Sequence, residues 1–400
     1  MPDQFPVLPA PFFYATAALL WLILLLLYLL RWRSYGLVAR LHGKARTPAP
    51  APRGEGLSVV IAARDQAASL ERNLPLILAQ RGVDFEVIVV TDVSTDETAA
   101  VVRRFCDRYS RLHTTFVPAS SRYIDRTKLA ITLGVRAARH EWIVLTGADC
   151  RPAGEHWLSG LAQAFSAGTD VVLGYSNYSD DGSRRARRAI YRRLRDNLRR
   201  FSAATSGRAL GGDGCNLAFR KSRFLACRGF ADSLTVTCGA ADLLVHAIAR
   251  RGHTALQPLA EYTTWQELPD PAALASRRLA LTETRRHLGL RSRLMQLREG
   301  LASSLSFLFL LLSVFFITLR VLAISTARSY DAVLLPADVP FLLALPAALL
   351  LPALTLRPSL KVLGEKSFGI RPACADLVLP FSNLSYKIRR FRYRHDFRRK

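Results

Sequence analysis

The stretch with most chemical potential is Trp142-Ile-Val-Leu-Thr-Gly-Ala-Asp-Cys150. It reads as an apolar strand that breaks at Gly147 and leaves one carboxylate, Asp149, just past its end. In an open α/β sheet, ligands bind outside the carboxyl ends of the strands. A carboxylate there can hold Mg²⁺ or Mn²⁺ against a phosphate, because these cations prefer hard oxygen ligands. The plain alternative is a strand-ending turn that contains an Asp. A second such turn, Thr91-Asp-Val-Ser-Thr-Asp96, follows the apolar run Phe85-Glu-Val-Ile-Val-Val90.

These turns need elements to position them. Leu57-Ser-Val-Val-Ile-Ala-Ala63 is a continuous run of the kind a buried parallel strand requires. Ala68 to Arg81 has helical spacing, with Leu70, Leu74, Ile77 and Leu78 on one side. Ser94 or Thr95 is placed to cap a helix from Glu97 to Tyr109. Another helical segment, Lys128 to Arg139, leads into the strand at Trp142. Strand and helix alternate, so the sequence predicts a mostly parallel, doubly wound sheet. Thr47 to Gly56, rich in Pro, Ala and Gly, reads as a linker.

Outside this region the chain is apolar or basic. Phe12–Leu30 and Leu301–Leu319 are nearly unbroken apolar runs, and Val339–Leu356 is a third that contains Pro340, Pro346 and Pro352. Each approaches the ~20 residues that a helix needs to cross a bilayer. The first has no basic residue before it and no clear cleavage site after it, so it reads as an uncleaved anchor. Arg31, Arg33, Arg40, Lys44 and Arg46 follow it. By the positive-inside rule the N-terminus is outside and the α/β region cytoplasmic. Arg320, Arg328, Asp331 and Asp338 make the next loop only weakly basic, whereas Arg357, Lys361, Lys366 and Arg371 mark a return to the cytoplasm.

The formal net charge of +25 raises nucleic acid as a partner, but its distribution argues against one. Much of it lies beside the apolar runs, in the 184–200 stretch and in the tail after Lys387. Such clusters suit the anionic headgroups of membrane lipid. The 184–200 run reads as the basic face of an interfacial helix. The six cysteines lack metal-ligand spacing and are expected to be free thiols.

Five segments in order resemble family-2 glycosyltransferases: Ser58–Arg64, Val87–Thr98, Lys128-Leu-Ala130, Leu145–Pro152 and Gly212–Ser222. Cys238-Gly-Ala-Ala-Asp-Leu-Leu244 and Glu283-Thr-Arg-Arg-His287 extend the likeness through about residue 290. The resemblance implies an α/β GT-A domain over 57–298, with a mostly parallel central sheet and flanking transmembrane helices. These would be an anchor at 1–31 and two helices within 299–358. A basic juxtamembrane segment and linker at 32–56 and a basic cytoplasmic tail at 359–400 complete the expected organisation. It further implies transfer of a sugar from a nucleotide-diphosphate sugar to a lipid-linked or polysaccharide acceptor, with inversion, at the cytoplasmic face of the plasma membrane.

The resemblance also assigns roles. Asp92 would bind the base or ribose, Asp149 would ligate Mg²⁺ or Mn²⁺, and Lys128 and Arg286 would add positive charge at the diphosphate. Ala63, Arg64, Gly214, Asn216 and His287 would line the substrate site. Asp242, with Asp213 next in line, would be the catalytic base. Each has a plain alternative: Asp92 as a turn-closing residue, Lys128 as an exposed helix residue, Arg286 as a lipid-facing charge. Two departures stand out. Gly147 occupies the place of a second metal-binding acid, and Ala241 the place of the usual base, which also opens the alternative of a silent homologue acting as a scaffold.

Overall fold

The computed structural model describes residues 10–44, 56–119, 125–234, 236, 238–326 and 339–369, with scattered residues from 374 to 388. It divides into two compact units, one built on Leu37–Arg293 with Lys361–Glu365, the other on the apolar helices.

The first unit contains ten strands: β1 Leu57–Ala63, β2 Phe85–Thr91, β3 Leu112–Phe116, β4 Trp142–Gly147, β5 Cys150–Pro152, β6 Val171–Gly174, β7 Ser176–Tyr178, β8 Leu217–Arg220, β9 Thr254–Gln257 and β10 Thr264–Gln266. Seven form one sheet in the order β3-β2-β1-β4-β8-β6-β9. β3, β2, β1 and β4 run parallel, β8 is antiparallel to both β4 and β6, and β9 is parallel to β6. The sheet is thus mostly parallel. β1 is buried along nearly its whole length, as its unbroken apolar run requires when helices cover both faces.

Helix Ala67–Leu78 lays Leu70, Leu74, Ile77 and Leu78 against the sheet. Burying each such side chain is worth roughly 1.5–3 kcal/mol. Trp142 stacks on Phe165 with ring centroids 3.8 Å apart, closing the core beneath β4. Helix Thr98–Cys106 is capped differently from expectation: the Asp96 carboxylate accepts from the Thr98 N–H at 3.0 Å. Ser94 and Thr95 instead tie this turn to the end of β1. The Asp65 N–H donates to Ser94 Oγ, and Asp65 Oδ1 accepts from the Thr95 N–H at 2.6 Å. Asp65 adopts φ 51°, a left-handed conformation uncommon outside glycine.

A three-stranded sheet, β5-β10-β7, lies beyond β4. β10 pairs antiparallel with β5, placing Gln266 opposite Cys150.

The expectation for the arginine-rich run is overturned. Helix Arg184–Thr205 buries Ala186, Ile190, Leu194, Leu198 and Phe201 within the domain. Arg193 and Arg200 point inward as members of buried ion pairs, although Arg184, Arg185 and Arg188 stay exposed.

The second unit comprises helix Ala10–Tyr35, most of Leu290–Thr326 and most of Val339–Leu363. Leu20, Leu24 and Leu27 pack against Ala302, Phe309 and Phe316, joined by Ala347 and Leu351. Leu19, Leu22, Leu25, Leu308, Leu311 and Phe315 are exposed. Among the described residues, Gly300–Thr318 is long and apolar enough to cross a membrane, while Ala15–Leu29 is apolar but shorter. The third apolar run is helical despite Pro346, Pro352 and Pro358. The linker at 47–55, the loop bearing Arg328, Asp331 and Asp338, and the tail from Arg389 lie outside the described residues.

Candidate active site

Three adjacent parallel strands build the site. β1 lies between β2 and β4, with Ala63 opposite Thr91 and Ala62 opposite Gly147. Asp92 therefore follows the end of β2, and Asp149 follows the end of β4, on the same edge of the sheet. Two interstrand spacings separate their strands by about 10 Å. The Asp92 N–H is fixed by the Ala63 carbonyl at 2.9 Å.

The Asp92 carboxylate is engaged by an arginine that the sequence did not single out. Arg126 Nε donates to both carboxylate oxygens at 2.8 Å, and its Nη2 donates to Oδ1. Burial opposes the Asp92 charge, yet the Arg126 guanidinium and the Val93 N–H together hold this carboxyl below its ordinary range. Ala63 is buried and contributes through its backbone, whereas Arg64 is exposed and adds positive charge near Asp92.

Asp149 sits in a turn clamped from both sides. The buried Asn73 amide donates to Ala148 O at 2.9 Å, and the Glu267 N–H donates to Asp149 O at 3.0 Å. The side chain accepts from Gln266 Nε2 at 2.7 Å and lies 3.7 Å from the Arg277 guanidinium. A Cβ on Gly147 would meet two side-chain ends, Asp149 Oδ1 at 2.5 Å and Cys150 Sγ at 3.1 Å, so a larger residue here would require the Asp149 carboxylate to shift. Among the described residues no group of three or more His, Cys, Asp or Glu side chains converges. Asp149 fits a divalent cation when substrate oxygens complete the shell, since Mg²⁺ is commonly held by one or two carboxylates with phosphates and waters.

The two acids proposed as base are both paired. Arg193 grips Asp213 bidentately, with Nε and Nη2 each 2.9 Å from a carboxylate oxygen, and Arg200 lies 3.7 Å away. Burial opposes the charge of Asp213, but Arg193 and Arg200 outweigh it and hold its carboxyl far below the usual range. Asp213 is thus a buried carboxylate paired with Arg193 and close to Arg200 in this structure. Arg200 also donates to both oxygens of Asp242, at 3.1 and 3.2 Å. Gly211 and Gly214 let this segment approach helix Ala240–Ile248: a Cβ on Gly211 would collide with Asp242, and one on Gly214 would sit 3.5 Å from the Ala241 Cβ. The structure thereby brings Asp213, Gly214, Ala241 and Asp242 together.

Four other candidates have the following surroundings. Lys128 is fully buried rather than exposed, and its ammonium donates to the Ser233 and Val236 carbonyls at 2.7 and 2.5 Å. Burial pushes its pKa down, and the two bonds tie it to the Ser233 and Val236 carbonyls. Asn216 is a core hub: it donates to the Tyr175 and Tyr262 carbonyls and accepts from Trp157 Nε1. No amide hydrogen is left for substrate, because the primary amide has two. Arg286 and His287 are exposed at the end of helix Pro271–His287, with Arg286 3.4 Å from Glu283. The arginine of this helix that reaches Asp149 is Arg277.

Arg126, Gln266 and Arg277 are the residues that sequence reasoning missed, together with the inward role of Arg193 and Arg200. The last pair had a signal. Their seven-residue spacing puts them on one helical face, next to the apolar residues that bury it.

Two carboxylates thus stand at one edge of a mostly parallel α/β sheet. Residues 58–225 match the model of glycosyl transferase family 2. The succinoglycan biosynthesis protein ExoO of Rhizobium meliloti (strain 1021) is 30% identical over 120 residues, covering 29% of this chain and 32% of that protein. The chain therefore spans about a third of the length of this curated relative. Among solved structures, the mannosyltransferase PcManGT from Pyrobaculum calidifontis, in complex with GDP-Man and Mn²⁺, is alike in fold. The TM-score is 0.54 at 20% identity, over 92% of this chain and 99% of that one.

Proposed function

We propose that the chain is a membrane-bound glycosyltransferase that uses a nucleotide-diphosphate sugar. The observation that carries this reading is the placement of Asp92 and Asp149 at one sheet edge, two strand spacings apart across β1. That separation suits a nucleoside at Asp92 and its diphosphate at Asp149. With Mg²⁺ or Mn²⁺ held between Asp149 and the donor, the cation supplies charge neutralisation for the leaving diphosphate. The acceptor is a lipid-linked or polysaccharide hydroxyl, and displacement inverts the sugar.

The apolar helices support a membrane location. Their outward leucines and the basic residues after the first helix favour three spans with the N-terminus outside and the transferase domain cytoplasmic. Anionic lipid headgroups would attract the basic flanks. A reporter fused at the N-terminus is expected to be extracytoplasmic and one after Lys400 cytoplasmic; both on one side would remove the three-span arrangement.

A second reading, a silent homologue that binds sugar nucleotide within a membrane glycan-synthesis complex, is favoured by one observation. Ala241 stands where the resemblance places the base, and the neighbouring Asp242 is paired with Arg200. Donor hydrolysis and transfer by the purified full chain, across a panel of nucleotide sugars with and without Mn²⁺, separates the two. Turnover of any donor supports the enzyme; nucleotide binding without turnover supports the silent homologue.

A further inference from the structure

The diphosphate of a sugar nucleotide carries its charge at Asp149, an anionic group, so some cation must reconcile the two. The turn offers a metal one carboxylate, Asp149, since position 147 is a glycine. Two guanidinium groups converge on the same point instead. The buried Gln266 carboxamide turns its N–H to Asp149 and its oxygen to both Arg193 Nη1 and Arg277 Nη1, the latter at 3.1 Å. The β10–β5 register positions this glutamine, since Gln266 lies opposite Cys150.

The two arginines differ in what they have left to offer. Arg193 is buried, and its donors are taken by Asp213, Ser176 and Gln266 while its plane stacks on Tyr178. Arg277 has a side chain 45% exposed and lies 3.7 Å from Asp149. A guanidinium has five N–H donors in a fork that matches two phosphate oxygens. Arg277 has five such donors and serves Gln266 and Tyr178 with part of them, which leaves N–H groups for such a fork. Arg286, the residue first considered for this role, is nine residues further along the helix, about 13 Å by the α-helical rise.

We propose that Arg277, oriented by Gln266 and Asp149, binds the donor diphosphate directly, so that nucleotide binding in this chain persists without a divalent cation. The proposal rests on the sugar-nucleotide reading above and adds the residue that holds the charge. Asp149 then has two functions in one turn. It orients Arg277, and it offers an oxygen to a cation once the diphosphate has arrived.

The test is calorimetric binding of UDP, GDP, ADP, CDP and dTDP to the purified full chain, in EDTA and again in Mn²⁺, with the corresponding nucleosides as controls. The wild type is expected to bind at least one diphosphate in EDTA. Arg277→Ala should weaken that binding by roughly 10- to 100-fold, the usual effect of losing a hydrogen bond to a charged group, and leave nucleoside affinity unchanged. Arg277→Lys should recover only part of the loss, and Arg286→Ala should change nothing. A diphosphate that binds in Mn²⁺ but not in EDTA overturns the proposal and leaves the sugar-nucleotide reading standing. So does equal affinity of wild type and Arg277→Ala in EDTA. If no diphosphate binds under either condition, the sugar-nucleotide reading itself falls. Arg277 is half-exposed, so its loss should not unfold the domain; an unchanged thermal transition of Arg277→Ala confirms that a lost affinity is local.

Discussion

Asp213→Asn tests whether the buried acids are structural. In the wild type its carboxylate receives two donors from Arg193 at 2.9 Å and lies 3.7 Å from Arg200, with side chains only 10–11% exposed. The asparagine keeps the shape but removes the charge and turns an N–H toward the guanidinium. Arg193 then remains buried with Ser176, Gln266 and the Tyr178 ring, but without a counter-ion at bonding distance. Removing one partner of a buried pair costs about 3–5 kcal/mol. For a domain of this size each kcal/mol lowers the midpoint by roughly 2–4 °C, so a fall of roughly 6–20 °C is expected. The assay is tryptophan fluorescence of the full chain at one fixed scan rate, since Trp142 and Trp157 lie in the core. Glu71→Gln is the control, because it removes the exposed pair Arg104–Glu71, a type worth about 0–1 kcal/mol. The pH dependence follows from the lowered Asp213 pKa. A depressed carboxyl stabilises the fold above its unfolded pKa of about 3.9 and loses that contribution as pH falls toward the folded value. The gap between wild type and Asp213→Asn should thus be constant from pH 5 to 8, on the order of the full effect, and narrow below about pH 4. Equal midpoint shifts for Asp213→Asn and Glu71→Gln would refute the reasoning.

Asp149→Ala should abolish the coupling between metal and nucleoside diphosphate seen by calorimetry, while unchanged coupling removes Asp149 from the site. Asp242→Asn should leave nucleotide affinity nearly unchanged; if Asp242 is the base, turnover falls by roughly 10²- to 10⁴-fold, and full activity in this variant excludes it. Ala241→Asp should raise turnover, or create it in a silent chain; no change would show that position 241 does not face the acceptor. Lys128→Met should destabilise the domain by about 1–3 kcal/mol for each carbonyl left unsatisfied, and a stability equal to wild type would contradict a loop-pinning role.

The strands and their order of appearance were legible because fully buried parallel strands demand unbroken β-branched runs, and β1, β2 and β4 have them. The turns that bear Asp92 and Asp149 were legible for the same reason, since each begins where its run breaks. Side-chain partners were not, because they depend on pairings distant in sequence. Arg126 meets Asp92 across 34 residues, and Gln266 meets Asp149 across 117. Lys128 and Asn216 carried the right residue types for substrate, yet the fold turned both inward to satisfy carbonyls. Nothing local distinguishes a lysine that ends in a pocket from one that ends on two loop carbonyls. The arginine run misled because composition dominated periodicity: its charge density suggested a surface, while Ala186, Ile190, Leu194 and Leu198 already marked a buried stripe.

One physical theme connects these departures. Asp92, Asp213 and Asp242 each face a guanidinium presented through two or more donors, and Asp149 stands beside a fourth. For Asp92 and Asp213 the pairing outweighs burial and holds the carboxyl below its ordinary range, because a neighbouring cation favours the charged form. Asp242 is occupied by two donors of Arg200, at 3.1 and 3.2 Å. Arg200 is shared between Asp242 and Asp213, so a shift of its guanidinium toward Asp213 would free Asp242 without leaving the arginine unpaired. Binding and turnover are therefore tested separately in this chain: Arg277→Ala and Asp149→Ala address the first, Asp242→Asn and Ala241→Asp the second.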